Sequence, residues 1–124
     1  MAARNGKKLA GGRSLSPEVF DRSLLRRYTM DSYELEREVM KLFLDQLPVT
    51  VAMLKNVTSQ ADWKLATHTL KGSAAAVGAT RINQLAFELE QIRFIESAPV
   101  IKRKVAELER AADQFSKAVA RFYR

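Results

Sequence analysis

The sequence predicts an all-α protein: an antiparallel four-helix bundle with an additional short N-terminal helix. Three observations predict it. Apolar residues recur at helical spacing through most of the chain, and no segment alternates with the period of a strand. Helix start and stop residues divide the apolar stripes into segments of bundle length. The 124 residues, 47% hydrophobic and 28% charged, suffice for one core and one compact domain.

Taken in order, residues 1–14 (MAARNGKKLAGGRS) are small, polar and glycine-rich, and are expected to form a disordered basic tail ahead of a bundle spanning residues 15–124. Ser16-Pro17-Glu18 is a start signal, a hydroxyl cap followed by proline at the first helical position and then an acid. That helix is expected to run to about Tyr28. Asp31-Ser32-Tyr33-Glu34 resembles a capping box with Asp31 as the cap. Leu35, Val39, Leu42, Phe43 and Leu47 follow at helical spacing, and Val51, Leu54 and Val57 continue the stripe past Pro48. A helix over about residues 32–58, bent at the proline, is expected. Asp62 is the expected cap of a third helix, which stops near Val77 with Gly78 as a left-handed terminator. The next helix carries Ile82, Leu85, Ala86, Leu89, Ile92 and Arg93 on one stripe, and so short a connection makes these two helices antiparallel neighbours. Pro99 opens a last helix with Val105, Leu108, Ala112, Phe115, Val119 and Phe122 on its apolar face. There is no internal repeat.

Composition excludes several chemistries. Without cysteine there are no disulfides, thiolate metal sites or cysteine nucleophiles. A single histidine excludes a His-only metal cluster and leaves His68 as the one candidate for imidazole chemistry. No run of about 18 apolar residues exists, so no membrane span is expected. Residues 1–14 lack the apolar core of a signal peptide, and a cytoplasmic protein is the expectation. The net charge of +7 is concentrated at the ends: residues 1–14 hold four basic and no acidic groups, residues 98–124 seven basic and three acidic, and the middle is balanced. No aromatic residue interleaves the tail's charges, as single-strand stacking would favour, so nucleic acid is not the expected partner. A helical adaptor without chemistry, or a bundle touching nucleic acid through its basic ends, is the alternative reading.

On a helical wheel Trp63, Ala66, Leu70, Ala74 and Val77 cluster opposite His68, at about 100° per residue. The histidine therefore points out of the bundle. Lys64 and Lys71, at i−4 and i+3, are its neighbours, Gly72 and Ala75 lie beside it, and Leu65 is a little further round. A glycine inside a helix costs about 1 kcal/mol relative to alanine. On an exposed face, close approach by another molecule would account for it. A neutral imidazole can attack an electrophile, and a phosphorylated one gains negative charge that a lysine can pair with, Lys71 being best placed. Ser73 sits further round the helix, where its hydroxyl can bond back to the backbone. No metal is expected, because one imidazole with no carboxylate nearby on its own helix is a poor ligand set. On the wheel alone, a solvated surface histidine accounts for the same pattern.

The string His68-Thr69-Leu70-Lys71-Gly72-Ser73-Ala74-Ala75-Ala76-Val77-Gly78-Ala79 resembles the signature of histidine-containing phosphotransfer (HPt) domains: His-x-Leu-Lys-Gly-Ser, a few small or apolar residues, then Gly-Ala. The similarity continues through Ile82, Leu85 and Leu89-Glu90. Upstream it takes in Phe20, Leu24, Leu25, Phe43, Leu47-Pro48 and Asp62-Trp63, so that it covers about residues 17–120. Ala74 stands where many members have serine. The resemblance implies a helical bundle with His68 as phosphoacceptor, Lys71 as the charge beside the phosphate, and Gly72 as clearance for a docking receiver domain. It makes Ser73 a supporting hydroxyl, and Glu90, on the next helix, a candidate to orient the imidazole. Lys64, Leu65, Ala75 and Ala76 would then line the docking surface.

The same resemblance implies a phosphorelay carrier, not itself an enzyme. It would take a phosphoryl group from a receiver's phospho-aspartate and pass it to another receiver, of a response regulator or a hybrid histidine kinase. It would carry no cofactor of its own, the receiver supplying Mg²⁺, and would act as a monomer. A sensor-kinase dimerisation fragment fits less well. Those helices carry an acid directly after the phosphoacceptor, where this chain has Thr69, and they require an ATP-binding domain.

Overall fold

The computed structural model describes residues 19–94 and 98–123. They form five helices: α1, Arg22–Tyr28; α2, Tyr33–Asn56; α3, Gln60–Val77; α4, Thr80–Gln91; and α5, Ala98–Phe122. The four longer helices form a ring in which each packs on the next and α5 returns to α2, while α1 packs on α3 and α2. This is the expected four-helix bundle with a short N-terminal helix. The basic tail and the Ser16-Pro17-Glu18 signal lie outside the described residues.

Where element boundaries differ from expectation, the cause is local. Val19, Phe20 and Asp21 are not helical, so a single helix from 16 to 28 is replaced by one that starts at Arg22, capped by Asp21 accepting from Ser23 N at 3.1 Å. Asp31 does not cap α2. The turn after α1 places Met30 and Asp31 in the left-handed region, at φ 50° and 62°, and Asp31 folds back onto Arg26 at 2.8 Å. A cap requires extended backbone. Ser32 has it at φ −82°, and its Oγ accepts from Leu35 N at 3.2 Å. Ser59, not Asp62, caps α3 by accepting from Asp62 N at 3.1 Å; Asp62 falls in the first turn, where its charge suits the positive helix end. The helix α2 continues unbroken through the exposed Pro48. Arg93 is exposed and lies beyond α4, for which Ile92 is the C-cap.

The core runs the length of the ring and centres on Trp63, Leu70, Leu85, Leu89, Leu108 and Phe115, all essentially inaccessible. Two features clamp α3 to α4. At one end Gly78 turns the chain at φ 78°, and its carbonyl accepts from Asp21 N at 2.7 Å, which also docks α1. A Cβ there would stand 1.8 Å from Asp21 O, so this glycine is required twice, by its dihedral and by the approach of a second backbone. At the other end the buried Trp63 indole N–H donates to Leu89 O at 3.1 Å and Ile92 O at 3.2 Å, and Gln60 Oε1 accepts from Phe94 N at 2.7 Å.

A buried carboxylate ties α1 and α5 to α2. Glu36 is 1% exposed and accepts from Arg22 Nε and, at 3.0 Å, from Arg22 Nη2, while the Tyr123 hydroxyl donates to the same carboxylate. Burial, then the bond to Glu36, pushes the Tyr123 phenol well above its ordinary pKa; the Glu36 bond likewise holds Arg22 charged.

Gly78→Ala is expected to cost about 2–4 kcal/mol in urea unfolding, because the added carbon meets backbone and not a flexible side chain. Arg22→Ala, which leaves Glu36 buried without a counter-charge, should cost about 2–4 kcal/mol. Tyr123→Phe, which removes one hydrogen bond, should cost about 1–2 kcal/mol by the same measurement.

Candidate functional site

The local fold of α3 turns His68 outward. Trp63, Ala66, Leu70, Ala74 and Val77 bury one side of the helix, and Thr67 joins them, its hydroxyl satisfied by Trp63 O at 2.9 Å. His68 is left with 66% of its side chain exposed. Because α4 runs back alongside α3, Glu90, 22 residues on, comes level with the histidine. Its Oε2 lies 3.0 Å from His68 Nδ1, and its Oε1 lies 2.8 Å from Lys71 Nζ. The Glu90 side chain is only 8% exposed; its Oε2 has the imidazole as partner, while the buried Oε1 faces the Lys71 ammonium as an ion pair and has no hydrogen bond among the described residues. A carboxylate accepts, so this contact favours the ring tautomer with its proton on Nδ1, in which Nε2 carries the lone pair.

The electrostatics follow from this arrangement. The Lys71 ammonium first, and the His68 bond second, hold the Glu90 carboxyl below its ordinary pKa of 4.5. A group whose folded value is depressed stabilises the fold above its unfolded value. That contribution disappears as the pH falls through the lower, folded value. The Glu90 contacts are thus intact throughout the neutral range.

The remaining candidates sit around the imidazole in different ways. Gly72 is exposed, and a Cβ built on it would meet nothing within 4 Å. Lys64 and Ala75 are exposed, Ala76 is half-buried, and Leu65 leaves 66% of its surface in solvent. Lys64 has no ion pair among the described residues, whereas Lys71 is drawn onto Glu90. The Ser73 hydroxyl donates to Thr69 O at 2.8 Å and is spent within its own helix.

A model of the Hpt domain family matches residues 38–118, which include this whole site. The chain belongs to the Hpt domain family. No curated protein and no solved structure matches it. Hpt domains are histidine-phosphotransfer modules of phosphorelays and interact with receiver domains. In this Hpt domain no helix among the described residues is long and apolar enough to cross a membrane.

Two residues of the Hpt site were not singled out from the sequence. Asn83 Nδ2 donates to Lys71 O at 2.8 Å, using the carbonyl's second lone pair to hold α4 against the histidine's turn of α3. The half-exposed Phe87 ring has Lys71 Nζ 5.7 Å from its centroid. The signal was present: 83, 87 and 90 follow the i, i+4, i+7 rule on the face of α4 beside its buried stripe, and Phe87 is a large aromatic off that stripe.

Gly72→Ala is expected to raise stability by about 0.5–1 kcal/mol in chemical denaturation, since helix propensity improves and no neighbour must move. In a carbon-detected NMR titration Glu90 should have its midpoint below 4.5, and Lys71→Met should move that midpoint upward by more than His68→Gln does.

Proposed function

We propose that this Hpt domain is a phosphorelay carrier that accepts a phosphoryl group on His68 Nε2 from the phospho-aspartate of a receiver domain and passes it to another receiver. The observation that carries the reading is the division of labour on the ring. Nδ1 is engaged by Glu90, and Nε2, with no partner among the described residues, belongs to a side chain that is 66% exposed. In the forward step the Nε2 lone pair attacks phosphorus. The N–P bond forms as the bond from phosphorus to the aspartyl oxygen breaks, and the receiver's carboxylate leaves with the electron pair. The ring gains positive charge as this happens, and the Glu90 carboxylate on Nδ1–H offsets it. The second transfer is the same step in reverse, onto another receiver's aspartate.

The other roles follow in this reading. Glu90 orients the imidazole and fixes its tautomer. Lys71, held beside the ring, supplies positive charge near the incoming phosphoryl group. Gly72 leaves room for the receiver's backbone, with Lys64, Leu65, Ala75 and Ala76 around it as a docking surface of apolar contacts and positive charge. Ser73 and Gly78 support the helix and its end. Mg²⁺ comes with the receiver's acidic pocket. Such transfer depends on alignment and charge neutralisation, for which a small rigid bundle suffices.

Incubation with a phosphorylated receiver should put acid-labile phosphate on the wild-type protein and none on His68→Gln; full labelling of that variant would refute the reading. Gly72→Phe should fold normally yet accept phosphate at least tenfold more slowly, and an unchanged rate would remove the clearance argument.

A further inference from the structure

The Lys71 side chain is long and flexible, and on an open helix surface its ammonium would sweep through solvent. Here it is only 29% exposed and stands at one point, 2.8 Å from Glu90 Oε1 and 5.7 Å from the Phe87 ring centroid. Phe87 and Glu90 lie three residues apart on α4, one turn of the same face. The ring and the carboxylate together form a two-sided seat for the ammonium. Phe87 does not owe its place to the core: it is 49% exposed, while its neighbours Leu85, Ala86 and Leu89 are wholly buried.

We propose that Phe87 is a positioning residue for the imidazole, acting through Lys71 and Glu90. The ring's negative face favours the seated ammonium over its solvated rotamers. The seated ammonium is the counter-ion of Glu90 Oε1 at 2.8 Å, a buried oxygen that has no hydrogen bond among the described residues and so depends on this charge contact. With one oxygen held, the carboxylate keeps its plane and presents Oε2 to His68 Nδ1 at 3.0 Å. Without the ring, Lys71 leaves its seat for a larger share of the time, Glu90 gains freedom to rotate, and the His68 ring loses part of its bias toward the tautomer with the proton on Nδ1. Phe87 touches neither the imidazole nor a reacting atom in this account.

The proposal rests on the carrier reading for its consequence in phosphotransfer, but its first consequence is measurable in the resting protein. Long-range proton–nitrogen NMR spectra of the His68 ring report the ratio of its two neutral tautomers. A cation–π contact at a partly exposed site is worth a factor of about two to five. Phe87→Leu should lower the ratio of the Nδ1–H to the Nε2–H tautomer by that factor, and slow labelling from a phosphorylated receiver to a similar extent. Phe87→Tyr, which keeps the ring, should restore both. In a Lys71→Met background, Phe87→Leu should change neither further. An unchanged tautomer ratio in Phe87→Leu overturns the proposal. So does failure of the tyrosine variant to restore it, or an equal effect of Phe87→Leu with and without Lys71. Slower labelling with an unchanged ratio would make Phe87 a receiver contact and likewise overturn it. If wild-type His68 never acquires phosphate, the carrier reading fails, and the tautomer spectra still decide the role of Phe87.

Discussion

The separation of α3 from α4 is fixed at both ends of their hairpin, by the left-handed Gly78 with Asp21 against its carbonyl and by the Trp63 indole shared between Leu89 and Ile92. Together these pins set the register of the two helices. His68 and Glu90, distant in sequence and on different helices, are brought together by that constraint, with the Asn83 bond to Lys71 O between the pins. The close fit of small side chains such as Ala74 and Ala86, both fully buried, lets the two helices approach until a carboxylate on one reaches an imidazole on the other.

The protein uses two carboxylates in opposite ways. Glu36 is closed off by an arginine and a tyrosine, and its bonds tie three helices together. Glu90 is paired more lightly, by one hydrogen bond and one ion pair, and sits at the edge of the surface, with its partners drawn from the helix that carries the histidine. The first is a structural knot whose value lies in never opening. The second leaves the far nitrogen of its partner's ring accessible, and so combines firm geometry with exposure. The lysine that the sequence offers as a phosphate partner is, in the resting protein, the counter-ion of Glu90.

The helices were legible in the sequence because their apolar stripes are regular, and the outward direction of His68 followed from the same periodicity. Cap positions were less legible. Asp31, Ser32, Ser59 and Asp62 are all good caps by residue type, and the choice among them depends on backbone dihedrals that only the turns between helices decide. The short Gly78 connection gave the pairing of α3 with α4. It did not give the register that puts Glu90 level with His68, which depends on the tightness of the turn and the packing of Trp63. Asn83 and Phe87 went unnoticed for a related reason: their importance comes from a backbone carbonyl and an ammonium on the neighbouring helix, and no pattern within α4 names those partners.

The two-residue connection between α3 and α4 also bears on how the chain reaches its native state. Closing so short a loop sacrifices little chain entropy, and the contacts it brings are near in sequence, so this hairpin is the cheapest tertiary unit the bundle can form early. Its half of the bundle would act as the folding nucleus, with α2 and α5 condensing onto it. The helix pair that presents the histidine would then be the first part of the molecule to acquire native geometry, and damage to it would slow folding as well as disturb the surface it displays.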